Sequence, residues 1–230
     1  MTQMSTPASR APLGPHPGWL MTLSLAFLVA SLAVTAILTG GEFIPSPSGP
    51  AATVSAFYLE QRDAVRIAAL LQLASAVPLG IGTAAFHARQ HRLGIRVPGP
   101  TIGLVGGTVA AVLLIISACV TWTLGSSDGG AVPGSIDTLA HLSFATGGFA
   151  HVIGLGLLVA GIAVPGLLLD LMPRALCLAG MAVALLAELS ILSMVADPLQ
   201  ILIPVGRFGS LVWLVVAGFL IPRQRQDGPS

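Results

Sequence analysis

WLMTLSLAFLVASLAVTAILT, residues Trp19 to Thr39, holds no ionisable side chain. A bilayer core of roughly 30 Å is crossed by about 20 apolar helical residues at about 1.5 Å each. This stretch is therefore a transmembrane helix. It is too long for the apolar region of a secretory signal, and no A-x-A cleavage pattern follows it, so it is read as a retained first span. Working outward, further spans fall at about Val65 to Phe86, Thr101 to Leu124, Thr138 to Val164, Arg174 to Ala196 and Asp197 to Ile221. The fold class is all-α: a polytopic bundle of six transmembrane helices.

Composition agrees. Only 8% of the 230 residues are charged and mean hydropathy is +0.91, against about 25% charged residues in soluble domains. The organisation is a disordered tail over residues 1–17, one membrane domain over 18–222 and a short tail over 223–230. A net charge of +1 excludes a nucleic-acid partner, which needs a basic face. All ten basic residues are Arg, read as the codon usage of a GC-rich bacterial genome. The expected localisation is the bacterial inner (plasma) membrane, with the lipid bilayer as the first partner.

Local signals set the boundaries. GEFIPSPSGP, Gly41 to Pro50, is a loop by its Pro and Gly content. A helical pattern resumes near Thr53 and runs through Arg66 into span two, where Pro78, Gly80 and Gly82 should bend it. Asp137 is expected to cap span four and Pro165-Gly166 to stop it, while Asp197 is expected to cap span six just before Pro198. No internal repeat is evident.

Orientation follows from the arginines. Arg10, Arg89, Arg92, Arg96, Arg174, Arg223 and Arg225 fall on one side, and Arg62 and Arg66 on the other. The richer side is cytoplasmic, and both termini lie there.

Intramembrane polar residues are the site candidates. Glu188 precedes Asp197 by nine positions and Arg207 follows it by ten, so both lie about 13–15 Å below the outer turn. A charge at a helix centre costs about 2.5–3.5 kcal/mol, and two at one depth in a hairpin can offset each other. Pairing of Glu188 with Arg207 is expected. Thr146 and Gln72 reach the same level. His151 lies deeper, on a face with Gly147, Gly154 and Gly161, and should look into the bundle; Cys177, Gly180 and Ala184 point Glu188 inward likewise. One reading is a polar pocket, opening outward, lined by Gln72, Thr146, Glu188 and Arg207. The other is an ion pair with hydrogen bonds that fix helix register.

Remaining patterns are read structurally. Gly103, Gly107 and Ala111 form a small-residue packing stripe. His87 and His91 have metal-ligand spacing but no third ligand nearby, and are read as solvated beside lipid phosphates. Trp19 and Trp122 suit the membrane interface, whereas Trp213 is deep enough to pack. Cys119 and Cys177 lie at opposite depths, cannot form a disulfide, and are read as buried packing residues. No catalytic motif, metal site or cofactor site is recognisable.

HLSFATGGFAHVIGLGLLVAGIAVPGLL (His141 to Leu168), Pro173-Arg174, the Glu188 helix and RFGSLVWLVVAGFLIP (Arg207 to Pro222) resemble bacterial six-helix integral membrane proteins grouped as domains of unknown function. Val65 to Gly107 is similar in organisation. The resemblance implies a six-helix fold and carries over no activity, substrate or catalytic residue. The expected function is that of a non-enzymatic accessory or interaction protein with a membrane partner. The alternative is a small-molecule binder or transporter using the level of Glu188 and Arg207.

Overall fold

The computed structural model describes residues 14–126 and 134–222. The expected terminal tails therefore lie largely outside the described residues, as do Arg10, Arg223 and Arg225. Every regular element described is helical: α1 (Pro17–Leu38), α2 (Ala51–Glu60), α3 (Arg62–Arg92), α4 (Gly99–Ser126), α5 (Ser135–Ala145), a π-helical turn (Thr146–Ala150), α6 (His151–Leu168), α7 (Arg174–Leu189), two 3-10 segments (Ser190–Met194 and Asp197–Ile201) and α8 (Leu202–Leu220). Six stretches are long and apolar enough to cross a membrane, with α5, the π turn and α6 joined as one and the 3-10 segments extending α7 and α8. The fold is that of a multi-pass helical membrane protein.

α1 explains why. Leu23, Leu32 and Ile37 are exposed, whereas Ser24, Ser31 and Thr35 are buried beside Met21 and Leu28. That inverts the soluble pattern and suits a helix whose outer face meets acyl chains. The buried hydroxyls join α1 to α3: Ser24 Oγ donates to Ser75 O at 2.9 Å, Ser75 Oγ to Ser24 O at 2.8 Å, and Ser31 Oγ to Ala68 O at 3.0 Å. Such bonds average about 0.6 kcal/mol in a membrane, so they set register more than stability.

The spans pack in a ring, α1–α3–α4–α6–α7–α8 and back to α1, with α6 also touching α8. Glycines let the backbones close. Gly154 faces Ala110 N and Gly106 O, and Gly161 faces the backbone of Gly103, so the Gly103 stripe serves internal packing as read. Trp213 is buried and donates Nε1–H to Leu176 O at 2.8 Å, joining α8 to α7.

Four boundaries differ from the sequence reading. The helix expected from Thr53 through Arg66 is broken at Gln61 (φ −105, ψ 34). The break lets α2 bury Val54, Phe57 and Tyr58 against Val65, Leu124 and Ala140. Asp137 does not cap α5: Gly134, at φ +87, is the N-cap, and Asp137 sits in the first turn. Asp197 is likewise not a cap but the first residue of its 3-10 segment, after Ala196.

Pro165 does not stop α6, which continues to Leu168 before Asp170 adopts a left-handed φ of +49. Proline removes the N–H that would bond the carbonyl four residues back. Here that carbonyl, Gly161 O, accepts instead from Gln90 Nε2 at 3.0 Å. The same substitution occurs at the end of α8. Pro222 cannot bond Gly218 O, and Arg89 Nη1 donates to it at 3.3 Å and to Ile221 O at 3.4 Å. Adjacent residues of α3 thus supply two missing donors. Cys177 is buried as expected, but Cys119 is exposed on the outer face of α4; both thiols are free.

Candidate functional site

A hydroxyl cluster ties α4 to α5. Ser117 Oγ donates to Ser143 O at 2.9 Å, and Thr121 Oγ1 lies 2.7 Å from Ser143 Oγ. Ser117 and Thr121 are one helical turn apart, so both reach one partner. Directly after α5 comes the π turn, with Gly148 outside helical geometry (φ −83, ψ −114). Gly147 lies against Ser117 so closely that any Cβ would collide with the hydroxyl. Two successive glycines therefore place bare backbone where other helices place side chains. Single π turns of this kind concentrate at functional sites.

Beside this wall is a cavity of about 290 Å3. Gln72 of α3, Tyr58 of α2, the three hydroxyls and Arg207 of α8 supply its polar lining, and Phe144 and Ile203 its apolar lining. Residues 44–47 form the rim, with Ile44 and Ser46 exposed. Burial without a compensating charge pushes the Tyr58 phenol up to about 12, so it stays neutral. Arg207 is half-buried, and its Nε is buried with no hydrogen-bond partner. No acidic side chain lines the cavity.

Of the residues read from the sequence, Gln72 and Arg207 line this cavity. The other three candidates are not part of its lining. Thr146 Oγ1 donates to Leu142 O at 2.7 Å, within its own helix. His151 is buried as expected and Nδ1 contacts Ala110 O at 2.8 Å. A carbonyl only accepts, so in neutral His151 Nδ1 carries the proton, and Nε2 is left buried without a partner. Glu188 points inward, but towards α6: Oε1 occupies the space left by Gly156 and has no hydrogen-bond partner. Among the described residues no ion pair joins Glu188 to Arg207. Equal depth placed them at one level, but Glu188 is directed to α6 and Arg207 to the cavity.

Ser117, Thr121, Ser143 and Tyr58 were not singled out from the sequence. The spacing of Ser117 and Thr121 and the Gly pair at 147–148 were the available signals. A second hollow of about 710 Å3 lies between α3 and α4, walled by Leu70, Leu73 and Trp122 with Arg66 beside it. Its walls are the exposed apolar surface that acyl chains cover, so the polar cavity is the better candidate.

Comparison with known proteins matched no family model, no curated protein and no solved structure. Fold and site define the class: a six-span helical membrane protein with a polar cavity inside the bundle.

Proposed function

We propose that this chain is a non-enzymatic small-molecule binding protein of a bacterial plasma membrane, holding its ligand in the Arg207 cavity as a receptor or as the outward-open form of a carrier. The observation that carries the reading is an arginine presented to a cavity within the membrane domain with no acidic partner. Intramembrane ionisable residues are costly and mark ligand or ion paths by default. A purely structural arginine would be paired, as Arg89 is with two carbonyls. The lining holds hydroxyls but no histidine, carboxylate or thiol to activate them, which favours binding over catalysis. The cavity rim includes the loop that follows α1, on the side the arginine count assigns to the exterior.

The test uses a chain with Cys119→Ser, Cys177→Ala and Ile203→Cys. The folded protein is incubated with the small-molecule fraction of a bacterial extract, before and after capping the introduced thiol with N-ethylmaleimide. Bound compounds are then read by mass spectrometry. A compound enriched before capping and lost after it supports the reading. No enrichment on a folded, reactive protein overturns it.

A further inference from the structure

We propose that the cavity selects a small monocarboxylate, its carboxylate paired with the Arg207 guanidinium and its apolar part lying against Phe144 and Ile203. The inference rests on the binding reading and names its ligand class.

Charge comes first. A guanidinium stays protonated in proteins, and half-buried Arg207 keeps its buried Nε without a hydrogen-bond partner. Glu188 is the nearest carboxylate in sequence depth, but it is directed to Gly156 and forms no ion pair with Arg207. Nothing acidic lines the cavity. An anion held in the cavity would supply the counter-charge that the lining lacks. The planar fork of arginine matches a carboxylate bidentately, through two parallel hydrogen bonds.

Donor availability narrows the recognition. The hydroxyls of Ser117, Thr121 and Ser143 are engaged with one another and with Ser143 O. Gln72 and Tyr58 also line the cavity, and neither side chain bonds to another described residue. The Gln72 amide and the neutral Tyr58 phenol are both donors. The free groups of the site are thus one cation and two neutral groups that can each donate as well as accept, and with the guanidinium both can donate to an acceptor-only anion.

The count of charges selects among anions. One arginine balances one negative charge. A phosphate monoester carries about −1.5 to −2 at neutral pH, which would leave part of its charge uncompensated inside the bundle. Size limits the rest: about 290 Å3 holds about ten water-sized groups at roughly 30 Å3 each. Phe144 and Ile203 offer an apolar surface, which suits a short hydrocarbon tail and would not reward a second charge.

The experiment measures thermal unfolding of the full chain in lipid nanodiscs at neutral pH and constant ionic strength and chloride. The probes are sodium butyrate, butyramide, butylammonium chloride and sodium phosphate. Butyrate is expected to raise Tm by a few degrees in a concentration-dependent way, with butyramide and butylammonium inert and phosphate weaker. Arg207→Gln should abolish the butyrate shift and Arg207→Lys should retain part of it, since lysine keeps the charge but loses the fork. Arg207 variants can fail to fold, so the maleimide-capped Ile203→Cys protein is a second arm, in which the shift should also vanish. The proposal is overturned if butyrate leaves Tm unchanged, if phosphate or butyramide matches it, or if capping leaves its effect intact. A neutral or cationic compound retained from the extract and released by capping would sink the carboxylate assignment while leaving the binding function standing.

Discussion

Gln90 occupies the hydrogen-bonding position that Pro165 vacates: its amide reaches Gly161 O, the carbonyl four residues before the proline, at 3.0 Å. A proline inside a membrane helix leaves a carbonyl that no solvent can satisfy, and another side chain must do so. Gln90→Leu should therefore destabilise the bundle by about 1–3 kcal/mol, the cost of orphaning a buried acceptor. Pro165→Ala restores a backbone N–H, so in that background Gln90→Leu should cost less than half as much. A double-mutant cycle on unfolding in detergent checks this. Equal costs in the two backgrounds would mean Gln90 acts through packing alone.

The mouth of the cavity is tied by Gln200 to the 3-10 segment that leads into α8. Ser46 Oγ donates to Gln200 Oε1 at 3.2 Å, and Gln200 Nε2 reaches Ser48 Oγ at 3.1 Å and Asp197 Oδ1 at 3.0 Å. These bonds are exposed, so Gln200→Ala should change stability by less than about 1 kcal/mol. It should nonetheless free the rim loop. The expected result is several-fold faster maleimide labelling of Ile203→Cys, read as a rate. An unchanged rate would mean the 44–48 loop does not control entry.

Glu188 and Arg207 contribute independently. Because no ion pair joins them, Glu188→Gln and Arg207→Gln should act additively on unfolding, with a coupling energy below about 1 kcal/mol. Breaking a buried pair costs about 3–5 kcal/mol, so a coupling of that size would restore the paired arrangement.

The spans were legible because a lipid-facing helix excludes charge, and that exclusion is written directly in Trp19 to Thr39. Residue counting also matched Gln72 with Arg207, and the two line one cavity. Direction was not legible. Glu188 was correctly turned inward by its small-residue stripe, but whether inward meant α6 or α8 depended on the space Gly156 leaves. Pro165 was misread as a stop because its rescue lies 75 positions earlier, in Gln90, where no local rule points. The π turn escaped for a similar reason. Thr146, Gly147 and Gly148 continue a helical pattern, and only the backbone at Gly148 and the close approach of Gly147 to Ser117 show the extra residue in the turn.

Tyr58 is the single tyrosine of the chain, so its ionisation can be followed by absorbance without interference. Burial raises its pKa from 10.0 to about 12. A phenol harder to ionise in the folded state binds more protons there than in the unfolded state between those two values. Stability must therefore fall as pH rises from about 10 towards 12. The ceiling is on the order of 3 kcal/mol, since one pKa unit is about 1.4 kcal/mol. Tyr58→Phe should remove that component of the alkaline loss. A titration midpoint near 10 in folded protein would place the phenol in water.

Close approach of α4 and α6 depends on glycine at Gly154. A Cβ there would lie 2.8 Å from both Ala110 N and Gly106 O and 3.0 Å from Ala110 Cα. Those are backbone atoms, so relief requires the two helices to separate, and overpacking of this kind costs about 1–3 kcal/mol. Separation would also strain the adjacent His151 contact to Ala110 O, now 2.8 Å. Gly80 is the control: a Cβ would meet only Ala111 Cβ, at 3.7 Å, an ordinary contact. Gly80→Ala should be neutral or stabilise by up to about 1 kcal/mol, because alanine loses less backbone entropy in a helix. Thermal unfolding of the two variants in one detergent gives the comparison. If Gly154→Ala unfolds no earlier than Gly80→Ala, the helices are not in backbone contact at that level.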